Sequence, residues 1–347
     1  MNILTIPSTS DFIDALADGL WHEAAGDDFR LADMEIYLPT KRACVSLRDA
    51  FLKRLDGKAA LLPRMKALGD IDDNEFYFAD TSIDPNIPEA ILPLRRKMLL
   101  TRMIRARDVH MPYDQAAQLA DALARLLDEV QINRQDFSAL SVLVEEQDLA
   151  AHWQQTVQFL EILVNTWPQI LKDEDCVDPV TRRHIIMQTQ IDAWRARPPA
   201  HPVIAAGSTG SMPMTADFIA AITALPDGRV VLPGLDVSLD EESWQAIDDA
   251  HPQSTMKNLL KVLGVERGGV AQWSPIAQST RHRLLQETTR PAAVTEAWRH
   301  LTQQDIPQNA LTGFSTIECD HTQEEAQTIA LIMREALGTP NKTTALV

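Results

Sequence analysis

Between Pro202 and Asp236 the sequence runs PVIAAGSTGSMPMTADFIAAITALPDGRVVLPGLD, and no other stretch limits the fold so tightly. Val203–Ala206 is a short apolar run, and Gly207-Ser208-Thr209-Gly210-Ser211 is a tight turn. From Thr215 to Leu225 the apolar residues Phe218, Ile219, Ile222 and Leu225 recur at helical spacing. Asp227-Gly228 interrupts them, and Val230–Leu232 begins a second apolar run. Strand, Gly/Ser loop, helix, strand is the unit of an α/β sheet with buried parallel strands. In such sheets ligands sit beyond the carboxyl ends of the strands, which points to Gly207–Met212 and Pro233–Asp236.

The rest of the chain supplies similar units at its start. Ile3–Ile6 is an apolar run, and after Pro7-Ser8-Thr9-Ser10 comes a predicted helix capped by Ser10 or Asp11, its inner face Phe12, Ala15, Leu16 and Leu20. Glu35–Leu38 is a second strand, closed by Pro39-Thr40. KRACVSLRDAFLKRL then predicts an amphipathic helix with Ala43, Leu47, Phe51 and Leu55 inward. Ala60–Asp80 is a mixed stretch holding Arg64, Lys66, Gly69 and Asp70, and Thr81–Pro93 has the Pro/Asp content of a linker.

A long helical region comes next. Its expected helices are LRRKMLLTRMIRARD, then DQAAQLADALARLLDEVQI with Asp114 as cap, Leu149–Lys172, and Thr181–Trp194. Residues 1–83 and 200–310 are thus expected to form one α/β core, with 84–199 as a helical insertion. Within the second part, Asp240 to Trp244 opens a short helix, HPQSTMKNLLKVLGV another with Gly264 near its end, and Arg281–Gln303 one or two more. Residues 311–347 are expected to begin a further domain, with Phe314–Glu318 a strand, QEEAQTIALIMREALG a helix and TTALV the opening of a strand, so that the chain stops inside an element.

Composition narrows the function. Three cysteines, Cys44, Cys176 and Cys319, lie far apart with no CxxC among them, so neither a disulfide framework nor a zinc site is indicated and a reducing cytoplasm is the expected home. No apolar run approaches a membrane span. A formal charge of −17 argues against indiscriminate duplex binding, though a local basic groove is compatible with it.

A working phosphate-binding loop needs glycines, a lysine for the β/γ-phosphates and a hydroxyl for Mg²⁺. The loop Ser8, Thr9, Ser10 offers hydroxyls alone, next to Asp11, and reads as a helix cap. Along Val203–Gly207 a nucleotide motor carries its acidic pair; here stand Ala205, Ala206 and Gly207, followed by Ser208, with no carboxylate. The Gly207–Ser211 loop reads first as a packed turn and second as a small-anion site at a helix start. It is not GxSxG. Pro39-Thr40-Lys41-Arg42 brings a hydroxyl, two cations and helix-start amides together, which suits a single-strand phosphate; a solvated first turn is the plainer alternative. The same choice holds for the cations of Arg95–Arg107. Trp153, Trp167, Trp194, Trp244 and Trp273 are expected to be mostly core, with one or two available for base stacking.

EIYLPTKRACVSLRDAFLKR, LLPRMKALGDID, PVIAAGSTGSMPMTADFIAAI, VVLPGLD and LDEESW together resemble the N-terminal region of the AddB family, the second subunit of the AddAB helicase–nuclease of double-strand break repair. The resemblance runs from Met1 to Val347. It implies a superfamily 1 helicase-like, P-loop NTPase-like core, inactivated, with a helical insertion. The first loop stands at the ATP-binding motif and Thr40, Lys41 and Arg42 at the motif that holds single-stranded DNA, with Arg64, Lys66 and Asp70 nearby in a second block. Ala205–Ser211 stands at the Mg²⁺-binding motif and Gly234–Asp236 at the next. The implied role is a non-catalytic DNA-binding scaffold beside an AddA motor, acting on single strands and double-strand ends in homologous recombination. No cofactor is implied here; the family's iron–sulfur cluster belongs to a C-terminal nuclease for which Cys44, Cys176 and Cys319 make no set. Two rivals stand beside it. One is an enzyme binding a phosphorylated small molecule at Gly207–Ser211, with His201 the nearest imidazole. The other is a protein-interaction scaffold without DNA contact.

Overall fold

The computed structural model of the chain describes residues 2–25, 27–55, 58–69, 87–135, 166–274, 280–302, 304–340 and 342–347. Six strands, β1 (Ile3–Ile6), β2 (Glu35–Leu38), β3 (Arg64–Ala67), β4 (Val203–Ala206), β5 (Gly228–Pro233) and β6 (Ala271–Gln272), form one sheet in the order β3-β2-β4-β5-β1-β6. Every pairing is parallel, with Ile36 opposite Ile204 and Met65, Ala205 opposite Val230, and Leu4 opposite Val231. The α/β class expected from the sequence is the class observed. The three strands expected to share a sheet do share it, with β2 beside β4 and β5 lying between β4 and β1.

Alternation of side chains along each strand sends neighbours to opposite faces, and both faces are covered, so the central strands need apolar residues at every position. One face meets Leu16 and Leu20 of α1 (Phe12–Glu23), Leu31 of α2 (Asp28–Ala32), and Leu47 and Phe51 of α3 (Lys41–Arg54); the strands supply Ile36, Leu38, Ile204, Ala206 and Val231.

Between β3 and β4 come α4 (Pro93–Arg107) and α5 (Tyr113–Ile132), joined by a short loop. Their cross-links Arg105–Tyr113, Lys97–Asp121 and Arg96–Asp128 run in opposite senses along the two helices, which makes the pair antiparallel. Leu99, Leu100, Ile104, Ala116, Ala120, Leu123 and Leu127 close a separate core with Trp167. At its base the buried Asp178 accepts hydrogen bonds from Trp167 Nε1 and Gln131 Nε2, both at 2.9 Å, and meets Arg96 Nε at 3.0 Å.

The opposite face of the sheet presents Ile3, Tyr37, Val203, Ala205, Val230 and Leu232. Against them pack α6 (Pro179–Ala196), α7 (Pro213–Thr223), Trp244 of α8 (Glu241–Ala246) and α9 (Ser254–Leu263). Tyr37, Trp194 and Phe218 form an aromatic cluster there, with ring centroids 5.0 to 5.9 Å apart.

Several expectations need correction. β3 lies within the stretch of mixed composition, where no strand is expected. Phe314–Glu318 and 343–347 form no strand, and Phe314 and Ile317 are more than half exposed. A strand needs a partner for its backbone groups, and none pairs with either segment among the described residues. Helix α5 is preceded by Pro112, with Asp114 inside its first turn rather than at the cap. Most of the expected helix at Leu149–Lys172, including Trp153, lies outside the described residues, as do residues 81–86 of the expected linker; 166–173 is helical. The chain divides into two compact units, 1–278 with 289–295, and 279–288 with 296–347. The helices between β3 and β4 therefore belong to the same unit as the sheet. The smaller unit contains α10 (Thr280–Thr288) and α11 (Thr322–Leu337). No helix among the described residues is long and apolar enough to cross a membrane.

Candidate nucleic-acid interface

Because all strands are parallel, the segments that leave β1, β2, β4 and β5 emerge at one edge of the sheet. They are locked there by backbone bonds between neighbours. Gly207 N–H donates to Val231 O at 2.9 Å, Gly234 N–H to Ile6 O at 2.8 Å, and Gly69 N–H to Pro39 O at 3.0 Å. Thr5 Oγ1 donates to Leu232 O at 3.2 Å and accepts Leu235 N–H at 3.0 Å. Two glycines are required by this crowding. Gly207 and Gly234 have φ of +77° and +73°, and a Cβ on them would lie 3.1 Å from the Phe12 ring and 3.3 Å from Ser8 Cβ.

The first loop carries no cation. Ser8, Thr9 and Ser10 come after Pro7, with Ser10 N–H donating to Pro7 O at 3.0 Å. Asp11 caps α1, its carboxylate accepting Asp14 N–H at 3.0 Å. Ala205 and Ala206, the last residues of β4, are buried; after them Ser208 Oγ accepts Gly210 N–H at 3.3 Å, and the backbone at Gly210 lies against Leu259. After β5, the Asp236 carboxylate accepts Ser238 N–H at 2.9 Å, Ser238 Oγ–H at 2.8 Å and Leu239 N–H at 3.0 Å. The Asp11 and Asp236 carboxylates thus close turns of their own chain.

Thr40 ends the β2 loop and caps α3, its Oγ1 accepting Ala43 N–H at 3.1 Å. Thr40, Lys41 and Arg42 are all exposed. The first turn of a helix of 14 residues, with its outward N–H groups and partial positive charge, therefore opens beside two cations. This corner can hold a phosphodiester by charge and hydrogen bonding.

Arg64 and Lys66 are not brought to this corner. Arg64 begins β3, opposite Glu35, at the other end of the strands. Lys66 is buried and donates to Glu35 Oε1 at 2.7 Å, with its Nζ 5.5 Å from the Tyr37 ring centroid. Tyr37 Oη donates to the same oxygen at 2.5 Å, and His201 Nε2 lies 3.1 Å from Oε2. Burial pushes the Glu35 carboxyl up, but the Lys66 charge and the bonds from Lys66, Tyr37 and His201 outweigh it and hold the carboxyl below its ordinary value. A lone glutamate in the apolar run EIYL was the sequence signal for this network, since a buried carboxylate demands a partner. Asp70 lies outside the described residues.

The same cluster removes the expected imidazole of the small-molecule enzyme. His201 precedes β4 and bonds Glu35 at the opposite edge from Gly207–Ser211. Trp167, Trp194 and Trp244 are buried, so they are core and offer no stacking face. Among the described residues no group of three or more His, Cys, Asp and Glu side chains could hold a metal ion. The chain matches no model of a known protein family and no curated protein sequence.

Proposed function

We propose that this chain is a non-catalytic, helicase-like module that holds single-stranded DNA at Thr40, Lys41 and Arg42 and serves as a scaffold beside an AddA-type motor subunit in double-strand break repair. One observation carries the reading. A parallel sheet gathers the loops of Ser8–Ser10, Gly207–Ser211 and Gly234–Asp236 at the edge where nucleotide chemistry takes place in such folds, yet those loops carry no lysine, and Asp236 is tied into a turn. The exposed cations at that edge stand instead at the start of α3. Such a site can bind a polyanion, and its described residues include no group placed to activate a phosphoryl transfer. The cytoplasm is the compartment where this role would be performed, and no cofactor is invoked for it.

Titration of a fluorescein-labelled single strand at low salt tests the site. Replacing Lys41 and Arg42 together by Ala should weaken binding and lower the salt slope by about 1.4, since each single-strand phosphate that is no longer neutralised removes about 0.7. An unchanged affinity and slope would remove these residues from the interface, and magnesium-dependent ATP turnover by the purified chain would end the idea of an emptied motor.

A further inference from the structure

Helix α4 carries Arg95, Arg96, Lys97, Arg102, Arg105 and Arg107 and no carboxylate, in a chain whose formal charge is −17. Five of these cations fall into two groups, and Arg107 is exposed at the end of the helix. Arg95 is bidentate to Glu174 at 2.9 and 2.6 Å, Arg96 is bidentate to Asp128 at 3.0 and 2.8 Å, and Lys97 meets Asp121 at 2.7 Å. Those three fasten α4 to its neighbours. Arg102 is exposed, with its charge also acting on Glu174, and Arg105 is half-buried; Met98 and Leu94 lie one and two turns before Arg102.

Arg105 is held in an unusual way. One terminal N–H donates to Val109 O at 2.9 Å, and the guanidinium carbon lies 3.7 Å from the centroid of the Tyr113 ring. Its Nε is enclosed and has no hydrogen-bond partner. Tyr113 is nevertheless 69% exposed, so the guanidinium covers one face of the ring and the other meets solvent. Val109, four residues before it, is 67% exposed, and further back along α4 Met98 and Leu94 are 53% and 70% exposed. The nearby Asp108 carboxylate accepts His110 N–H at 3.0 Å, and Asp114 comes directly after Tyr113 in the first turn of α5.

We propose that Arg102, Arg105 and Tyr113 form a second contact for single-stranded nucleic acid, on elements other than the strand-end corner. A base would stack on the open face of Tyr113, as bases do on aromatic platforms without regard to sequence. Phosphates on either side would meet Arg102 and the outer edge of Arg105, whose guanidinium is already fixed in place and loses little freedom on binding. An acidic peptide would use the charges but would leave the flat open ring without a matching group.

The experiment uses the whole chain and a fluorescein-labelled oligothymidylate of about twenty nucleotides, longer than a typical single-strand site. Tyr113→Ala should weaken binding about 5-fold or more, Tyr113→Phe should restore it, and Arg102→Ala with Arg105→Ala should lower the salt slope by about 1.4. An oligonucleotide carrying 5-iodouracil should cross-link to Tyr113 on irradiation. Circular dichroism and thermal melting separate these effects from misfolding, and Tyr113 is exposed enough to be truncated without opening the core. Unchanged affinity and slope in these variants, with Lys41→Ala plus Arg42→Ala still weakening binding, would overturn this proposal and leave the strand-end site standing. The reverse pattern would support it and remove the strand-end site. No binding by the parent chain would overturn both. Displacement of the oligonucleotide by polyglutamate with a potency that Tyr113→Ala does not alter would assign the patch to an acidic protein and reject nucleic acid.

Discussion

Glu35 shows how one buried charge is made tolerable and how its partners tie stability to pH. Its carboxylate is buried among Lys66, Tyr37 and His201, and its folded-state pKa lies below the ordinary value of 4.5. A depressed carboxyl contributes stability that is complete above the unfolded-state pKa and is lost as pH falls through the folded value. Lys66→Met should therefore cost about 3–5 kcal/mol at neutral pH in urea denaturation, because the buried anion is left with only the half-exposed Arg64 guanidinium, 3.9 Å away. It should also reverse the sign of the pH dependence. With the cation gone burial dominates, the carboxyl is raised, and the variant should gain stability as pH falls from neutrality towards the ordinary carboxylate range, whereas the parent should not. Equal slopes for the two proteins would show that Lys66 is not the compensating charge.

At the level of single elements, α3 is set by its ends as much as by its inner face. Thr40 satisfies the Ala43 amide, and Leu47, Ala50 and Phe51 seal the helix onto the sheet. Thr40→Ala should lower stability by about 1 kcal/mol in chemical denaturation, with Thr40→Ser recovering most of it. Elements with such local signals were legible from the sequence: α1 behind Asp11, α3 behind Thr40, α8 behind Asp240, and α9 ending at Gly264 in the left-handed region. β3 was not, because RMKA places two cations in a four-residue edge strand and its pairing depends on β2, distant in sequence. The expected strands at Phe314–Glu318 and 343–347 failed for the converse reason. Their apolar residues fit a strand, but a strand is completed by a neighbour rather than by its own sequence.

For the whole molecule, protection should track the layering. β4 and β5 are flanked by strands on both sides and covered on both faces, so their amides should exchange with solvent only on global unfolding. α11 exposes Leu331, Ile332 and Leu337 and should exchange far sooner, a contrast that hydrogen-exchange mass spectrometry would measure and that equal protection of both would refute. The parallel α/β class, the order of its main strands and helices, and the absence of phosphate-binding lysines from the loops after β1 and β4 were determined by the sequence itself, because periodicity, caps and residue chemistry are local. Which cations stay at the surface was decided only in three dimensions. Lys41, Arg42, Lys66 and Arg96 look alike in a sequence, but burial beside a distant carboxylate turns Lys66 and Arg96 into structural ties. A place at a strand's end or on a helix's outer face leaves Lys41, Arg42, Arg102 and the Arg105–Tyr113 stack at the solvent boundary.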